Sequence, residues 1–230
     1  TTGYVWVMAT MDMVYFFCRE SREGSFLRDL LSEFDGVLVS DFFTAYDSLP
    51  CKHQKCLVHL MRDINDDMRR NPFDTDLRLI GEEFGQVLAT AVSSIDRWGL
   101  KAYHLRKHRK QAERMLTKIG EKKFRSECAQ SYQKRFVKYA SSLFAFLTHD
   151  NVPWNNNNAE HAIKHFARYR REVDGKVTQS GVSNYLVLLS VYMTCKYRGV
   201  NCLDFMLSGC RDLFEFCGQD NLPRSPKSER

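Results

Sequence analysis

Two carboxylates, Asp41 and Glu160, stand where side chains can do chemistry. Asp41 follows the apolar run at 37–39, which is typical of a strand covered on both faces. A carboxylate at the C-terminal end of such a strand lies where open α/β sheets place ligands. Glu160 follows four asparagines at 155–158, in the first turn of a helix whose N-cap we predict to be Asn158. Such carboxylates can hold Mg²⁺, which prefers oxygen ligands and, in two-metal sites, supports in-line phosphoryl displacement.

The helix predicted behind Glu160 has an apolar face and a basic face. Apolar residues recur at the helical period at Ala159, Ala162, Ile163, Phe166 and Ala167. The opposite face carries His161, Lys164, His165 and Arg168. Glu160 falls on the seam between them, so its carboxylate can reach into a cleft. The alternative is that an acidic residue in the first turn only complements the helix dipole.

The net charge of +6 over 230 residues is concentrated in one segment. Positions 101–140 carry 13 Lys or Arg against three Glu, so the rest of the chain is net acidic. This pattern predicts a surface that contacts a phosphate backbone, with Arg106, Lys107, Arg109 and Lys110 among its residues. The alternative is a solvated helical face without a partner.

Length and composition indicate one folded domain with a large insertion, or two small domains. No apolar run reaches the length of a membrane span, and no secretory signal is recognisable at the N-terminus. We therefore expect a soluble intracellular protein without a membrane partner. The eight cysteines lack a framework spacing, so we expect most of them to be buried thiols.

The order of the predicted elements is strand, strand, helix, strand, and then a long helical block, which is an α/β pattern. The predicted elements of the first part are a hairpin over 4–18, a helix from Ser25, a strand at 37–39 that ends at Ser40-Asp41, and helices over 56–68, 76–98, 101–118 and 121–147. They are followed by the helix behind Glu160, a polar loop over 175–183, a helix over 185–197 that is apolar nearly all round and therefore expected to be buried, and a helix over 202–216. Residues 219–230 are predicted to be a frayed tail.

Four potential zinc ligands, Cys51, His53, Cys56 and His59, occur within nine residues. Their spacing fits no common structural zinc pattern, and we place the first three in a loop. In the alternative interpretation, Cys56 packs as a small buried side chain and His59 faces an active site or a phosphate. A core histidine is the remaining possibility for His59.

Three motifs in fixed order carry a family resemblance. They are the run Gly36-Val37-Leu38-Val39-Ser40-Asp41-Phe42-Phe43-Thr44-Ala45-Tyr46, the pair Cys56 and His59, and Asn156-Asn157-x-x-Glu160, followed by Arg170-Arg171, a polar loop and a closing apolar helix. Together they resemble the DDE transposases of the insertion sequence sixty-six family, from Gly3 to about Leu207. The chain departs from the family at His161 and Lys164, where arginines are usual, and at Asn155, where aspartate is usual.

The resemblance implies a ribonuclease-H-like mixed sheet flanked by helices, with a large all-helical insertion. It divides the chain into a first half of the catalytic core (1–50), the helical insertion (51–150), the second half of the core (151–218) and the flexible tail. It makes Asp41 the second aspartate and Glu160 the glutamate of a site for Mg²⁺ or Mn²⁺. The resemblance also assigns supporting roles to His59, Asn156 and Asn157 and phosphate contacts to Lys164, Arg168, Arg170 and Arg171.

The function implied is metal-dependent DNA strand cleavage and strand transfer at the ends of a mobile element. The family's first aspartate precedes the hairpin, so we expect this chain to lack it and to be inactive alone; Asp12, the one acidic residue near by, falls in a turn. Two alternatives stay open, a transposase remnant that binds DNA without cutting and a helical interaction module. The expected partners are element ends and target DNA, a homo-oligomer on paired ends and accessory proteins of the element, in the bacterial cytoplasm at the nucleoid.

Overall fold

The computed structural model describes residues 3–21, 23–174 and 177–218, which divide into two compact units. The terminal unit combines the described residues up to position 21 with those from position 157 onward, and the central unit is Glu23–Asn156. Each is described by itself. The chain is α/β and mostly helical, with a two-stranded sheet in each unit. The predicted tail at 219–230 lies outside the described residues, as does part of the predicted polar loop.

The described residues form short strands and longer helices. The strands are β1 (Tyr4–Ala9), β2 (Val14–Arg19), β3 (Val37–Ser40) and β4 (Lys52–Lys55). The helices are α1 (Ser25–Leu30), α2 (Leu57–Arg70), α3 (Thr75–Trp98), α4 (Ala102–Leu105), α5 (Arg109–Glu121), α6 (Glu127–Lys138), α7 (Ala140–Leu143), α8 (Asn157–Glu172), α9 (Gln179–Arg198), α10 (Cys202–Leu207) and α11 (Leu213–Gly218).

The terminal unit is built on the predicted hairpin, which the structure confirms. Strands β1 and β2 pair antiparallel, with Tyr4 opposite Arg19 and Ala9 opposite Val14. The outer edge of β2 is covered by α9, because the Thr194 hydroxyl exchanges hydrogen bonds of 3.1 Å with both backbone groups of Val14. The Ser190 hydroxyl accepts the Phe16 N–H at 2.9 Å. Helix hydroxyls thus satisfy strand groups that would otherwise lack partners.

Three predictions about the helices of the terminal unit are wrong in detail. Helix α8 begins at Asn157, ahead of the predicted cap at Asn158. Helix α9 begins inside the predicted polar loop, and it is not buried all round: Val187 and Leu188 are more than half exposed. The helix predicted over 202–216 is two short helices, because Gly209 between them adopts a positive φ of 70°. That backbone conformation is favourable for glycine and costly for other residues.

In the central unit, β3 ends at Ser40 as predicted, but its partner β4 was not predicted. The two strands are parallel, with Val37 opposite Lys52 and Ser40 opposite Lys55. The sequence of β4 is Lys-His-Gln-Lys, which has neither an apolar run nor alternation of apolar and polar residues. The expectation that Cys51, His53 and Cys56 share a loop is therefore wrong for His53, which lies in β4.

The helices of the central unit enclose one continuous apolar core. Buried residues of α2, α3, α5 and α6 recur at helical spacing, including Leu60, Ile80, Phe84, Met115 and Phe136. The rings of Phe84 and Phe136 meet edge to face at 5.6 Å. Helices α2 and α3 follow the predictions closely, because their stripes of apolar residues match the 3.6-residue period.

The helices predicted over 101–118 and 121–147 are both divided. The first is α4 and most of α5, and the second starts only at Glu127, after a break at 122–126, and continues as α6 and then α7. Ser126 caps α6 by accepting the Ala129 N–H at 3.2 Å, and Asp76 accepts the Arg125 N–H at 2.7 Å. The Gln133 amide donates to the carbonyls of Ile119 and Lys122 at 2.8 and 2.7 Å, near the end of α5. Polar side chains thus satisfy the backbone groups that the break leaves without helical partners.

The ribonuclease-H-like sheet and the four-part division of the chain remain predictions. None of the helices within the described residues combines the length and the apolarity that crossing a lipid bilayer requires.

Candidate active site

Asp41 directly follows β3 in the central unit, at the position that the sequence predicts. Because β3 and β4 run parallel, their C-terminal ends meet at one edge of the sheet, where Asp41 lies beside Lys55 and Cys56. Asp41 is half-buried. The edge thus places a carboxylate between bulk water and the interior of the unit.

The conformation of Asp41 is set by its own turn and by its neighbours. Its Oδ1 accepts the Phe43 N–H at 2.9 Å, which closes a tight turn directly after the strand. Its main-chain carbonyl accepts the Ser40 hydroxyl at 3.0 Å and the Lys55 ammonium at 3.2 Å. The lysine therefore holds the backbone of Asp41, and the Phe43 N–H holds its carboxylate.

Lys55 is the buried charged residue at this edge that sequence reasoning missed. Lys55 is only 1% exposed, and its Nζ lies 2.9 Å from Asp47 Oδ1 and 3.4 Å from Ser40 Oγ. The ammonium also lies 5.2 Å from the centre of the Tyr139 ring. A buried ammonium requires such partners, because an unpaired charge in the interior is strongly destabilising. A lysine in a polar run gives no signal of burial in the sequence.

The Asp47 carboxylate accepts hydrogen bonds from cationic and hydroxyl groups around the turn that follows Asp41. Its Oδ2 accepts from Lys138 Nζ and from the Tyr139 hydroxyl, each at 2.9 Å. Burial acts to raise the pKa of Asp47, but hydrogen bonds from Lys55, Lys138 and Tyr139 outweigh it and lower the pKa to about 2. Asp47 therefore stays ionised at any physiological pH and anchors the turn to the end of α6.

The start of α2 is tied to the same edge. The Cys56 N–H donates to the Ser40 carbonyl at 2.7 Å, and the Leu57 N–H donates to the Trp154 carbonyl at 2.9 Å. Cys56 Sγ accepts the Asn156 N–H at 3.4 Å. Cys56 is fully buried, as the packing interpretation expects, and His59 is half-buried in the first turn of α2.

The predicted support residues Asn156 and Asn157 flank the boundary between the units in the chain. The Asn156 side chain is oriented inward, since its Oδ1 is buried and has no hydrogen-bond partner among the described residues. Asn157 is exposed and is the first residue of α8. The roles assigned to both residues stay predictions.

The zinc hypothesis for Cys51, His53, Cys56 and His59 gains no support from their arrangement. Among the described residues, no three of these four side chains bring their ligand atoms within 4.8 Å of one another. His53 Nε2 lies 3.1 Å from the Leu49 carbonyl, so it is engaged within the preceding loop. The prediction that most cysteines are buried is wrong: Cys56 and Cys195 are buried, and the other six are half-buried free thiols.

Glu160 lies in the terminal unit, in the first turn of α8, as predicted. It is half-buried, and Ala162 behind it is fully buried against the hairpin and α9. The Asn158 carbonyl accepts the Tyr197 hydroxyl at 2.8 Å, which fixes the first turn of α8 on α9. Asp41 and Glu160 belong to different units, and their joint role in one site stays a prediction.

Asp12 has a structural role in the hairpin turn of the terminal unit. Its Oδ2 lies 2.6 Å from Arg198 Nη2, and its Oδ1 accepts the Thr10 hydroxyl at 2.7 Å. These contacts join the turn to the end of α9. They agree with the sequence argument that Asp12 falls in a turn rather than in a strand.

The predicted phosphate-contact residues are exposed in both units. On α8 they are Lys164, Arg168, Arg170 and Arg171, and around the start of α5 they are Arg106, Lys107, Arg109 and Lys110. His165 differs from the basic face predicted for α8, because it is half-buried against the Tyr192 ring. Burial, together with the charges of Lys196, Arg168 and His161, lowers the pKa of His165.

Comparison with known families identifies most of the chain. The family model described as Transposase IS66 family matches residues 1–184. No curated protein and no solved structure gives a significant match. The match includes Asp41, the start of α2 and Glu160 with the helix that carries it.

Proposed function

This chain belongs to the IS66 family of transposases, and we propose that it acts in metal-dependent DNA strand cleavage and strand transfer at the ends of a mobile element. The observation that carries the proposal is the edge of the parallel pair β3–β4. There a half-buried carboxylate, Asp41, follows the strand in a turn held by Phe43 and by the buried ammonium of Lys55. Such a fixed carboxylate at a strand end suits the placement of a reacting phosphate.

The donor chemistry of the proposed site fits a hard divalent cation, Mg²⁺ or Mn²⁺. Asp41 and Glu160 each supply a half-buried carboxylate, and oxygen donors are the ligands that Mg²⁺ prefers. The ammonium of Lys55 lies on the main-chain carbonyl of Asp41 and on Asp47, so it does not neutralise the Asp41 carboxylate directly. When bound, the cation would activate the attacking oxygen and stabilise the leaving oxygen of the displaced phosphate.

The other predicted residues have supporting roles in this proposal. Asn156, anchored through its N–H to Cys56, shapes the segment that enters α8. Asn157 begins that helix, and His59, in the first turn of α2, faces the reacting phosphate. Exposed arginines and lysines of α8 and α5 hold the DNA backbone, which guanidinium groups can contact with two hydrogen bonds each.

The test is cleavage of labelled element-end DNA by Asp41→Asn protein, produced from the complete reading frame. We expect Mg²⁺-dependent cleavage to fall by more than about a hundredfold, because losing a metal ligand costs more than losing an outer-shell partner. Asp35→Asn is the matched control, since exposed Asp35 lies just before the opposite end of β3. It should cleave at the wild-type rate.

Two outcomes would contradict the assignment. Full cleavage by Asp41→Asn protein would remove Asp41 from the chemistry. Salt-dependent DNA binding by the wild-type protein without cleavage in Mg²⁺ or Mn²⁺ would instead support a protein that binds DNA without cutting it. Circular dichroism and thermal unfolding of each variant separate a lost function from a lost fold.

A further inference from the structure

An exposed aromatic cluster is formed by the C-terminal end of α3 and by α4, on the two sides of Gly99 in the chain. We call Arg97, Trp98, Tyr103 and His104 the Trp98 cluster. The Trp98 and His104 rings are stacked at 4.7 Å with an interplanar angle of 16°, and Tyr103 meets His104 edge-on at 5.0 Å. The Arg97 guanidinium lies 4.8 Å from the Trp98 ring centre. Together these groups make a flat, cationic aromatic surface.

The backbone that carries this cluster is fixed. Gly99 ends α3 with a φ of 70°, and its N–H donates to the Ile95 carbonyl at 2.7 Å. The Leu100 carbonyl accepts the Asn151 N–H at 2.8 Å, and Asp150 accepts the Ala102 N–H at 2.7 Å. The backbone under the rings is therefore already ordered, so binding a ligand there costs the protein little conformational entropy.

The exposure of these rings is not explained by the packing of the central unit. Tyr103 is 83% exposed and Trp98 is 45% exposed, although aromatic rings gain much free energy from burial. The surroundings are strongly basic: positions 96–110 carry six Lys or Arg and one acidic residue, Asp96, while Asp150 lies near Ala102. A partner that suits both properties has flat apolar faces and negative charge, which describes an unpaired nucleotide.

We propose that the Trp98 cluster binds unpaired bases of DNA. The faces of Trp98 and Tyr103 stack on bases, and neighbouring cations such as Lys101 and Lys107 contact the adjoining phosphates. A base inside an intact duplex is already stacked and paired, so the ligand class is single-stranded or locally opened DNA. The proposal rests on the proposed function only in taking DNA as the partner.

Helix α5 provides the internal comparison. Its exposed stripe of Lys110, Arg114 and Lys118 lies on a helix without an aromatic residue. Such a stripe can contact phosphates, but it offers no face to a base. The two surfaces should therefore differ in their preference between single strands and duplexes.

The experiment measures binding of a fluorescent oligodeoxythymidylate and of a fully paired duplex to the whole protein at several salt concentrations. Tyr103→Ala should weaken oligodeoxythymidylate binding about tenfold, with a smaller effect on the duplex and an unchanged salt slope. Lys110→Ala should weaken binding to both and reduce the salt slope by about one. Phe73→Ala is the matched control, because Phe73 is 93% exposed and precedes the far end of the 24-residue helix α3. It should bind both DNAs as wild type does.

A direct optical measurement complements the affinities. Binding of oligodeoxythymidylate should quench tryptophan fluorescence, and most of this quenching should be lost in Trp98→Phe protein, which retains Trp6 and Trp154. Wild-type affinity of both Tyr103→Ala and Trp98→Ala for oligodeoxythymidylate would overturn the proposal. Equal losses on single strands and duplex would also overturn it, since that result indicates phosphate contact alone.

The outcomes separate this proposal from the proposed function. If the wild-type protein binds no DNA, the proposed function fails together with the cluster proposal. If the protein binds and cleaves DNA while Tyr103→Ala is unaffected, only the cluster proposal fails. Reduced self-association of Tyr103→Ala in sedimentation, with unchanged DNA affinity, would assign the cluster to a second copy of the chain and overturn base binding.

Discussion

Strand β4 and helix α3 each bury side chains in the central unit, but the buried side chains are of different kinds. Helix α3 contributes Ile80, Phe84 and other apolar residues to a continuous core. Strand β4 buries Gln54 and Lys55 instead, at 0% and 1% exposure. The hydrophobic effect stabilises a fold but does not depend on the direction of individual contacts. Buried polar groups, in contrast, need hydrogen-bond partners at defined positions. Helix α3 thus contributes mainly to the stability of the core, and strand β4 contributes to the positioning of the Asp41 turn.

The partners of Gln54 illustrate that geometry. Its amide donates to the carbonyls of Lys55 and Leu143, each at 2.7 Å, and its Oε1 accepts the Phe146 N–H at 3.0 Å. The Lys55 ammonium contacts the Ser40 hydroxyl, the Asp41 carbonyl and the Asp47 carboxylate. All these hydrogen bonds depend on the position of β4 beside β3, and they locate the Asp41 turn.

The largest expected effect on stability comes from Phe84→Ala, which truncates a core side chain of α3. The residue is 1% exposed, so truncation leaves a cavity in the core and should lower the free energy of unfolding by about 3–5 kcal/mol. Urea unfolding measures the loss, and Phe73→Ala should cost little because Phe73 is 93% exposed. Under conditions where the variant is folded, its Mg²⁺ requirement for cleavage should match wild type. A changed Mg²⁺ requirement would contradict the separation of roles.

Lys55→Met should lower the stability less than Phe84→Ala does, but it should change the Mg²⁺ dependence of cleavage. It removes charge-assisted hydrogen bonds to Asp47 and to the Asp41 carbonyl, so the free energy of unfolding should fall by about 2–3 kcal/mol. Because the Asp41 turn loses its anchor, the Mg²⁺ concentration for half-maximal cleavage should rise in the folded protein. Lys52→Met, in the same strand but exposed, is the control. An unchanged Mg²⁺ dependence in Lys55→Met would make Lys55 purely structural.

The smallest effect is the acid sensitivity that Asp47 confers. Its folded pKa of about 2 lies below the ordinary value of 3.8, so its contribution is present above pH 4 and is lost as the pH falls towards 2. After discounting for solvent screening, the contribution is on the order of 1 kcal/mol. Unfolding measured between pH 5 and 2 in wild type and in Asp47→Asn should converge at the acid end. Parallel curves would exclude this role.

The same contrast explains what the sequence could predict. Apolar residues at helical spacing predicted α2 and α3, and the aromatic runs with an Asp12 turn predicted the hairpin. Asp41 and Glu160 are predicted as site residues because each borders a recognisable element, and the structure places them after β3 and in the first turn of α8. Strand β4 was missed because the burial of Gln54 depends on Leu143 and Phe146, which lie about 90 residues later in the chain.

Other misses also have long-range causes. The break before α6 depends on Asp76, about 50 residues earlier, which accepts the Arg125 N–H. Helix α9 has apolar residues on every side, but only one side packs against the hairpin, and Val187 and Leu188 remain exposed. Hydrophobicity alone indicates that a segment favours burial; it does not tell which faces other elements will cover.

The register of β3 and β4 sets limits on how the gene can change. Ser40 stands opposite Lys55, and Gln54 and Lys55 have different partners. Adjacent strand residues point to opposite sides, so one codon inserted within β4 would exchange the positions of the amide and the ammonium. One codon inserted beside exposed Ser48 would leave the pairing intact. Length variation should therefore accumulate in the loop before β4 and be purged from the four codons that follow Cys51.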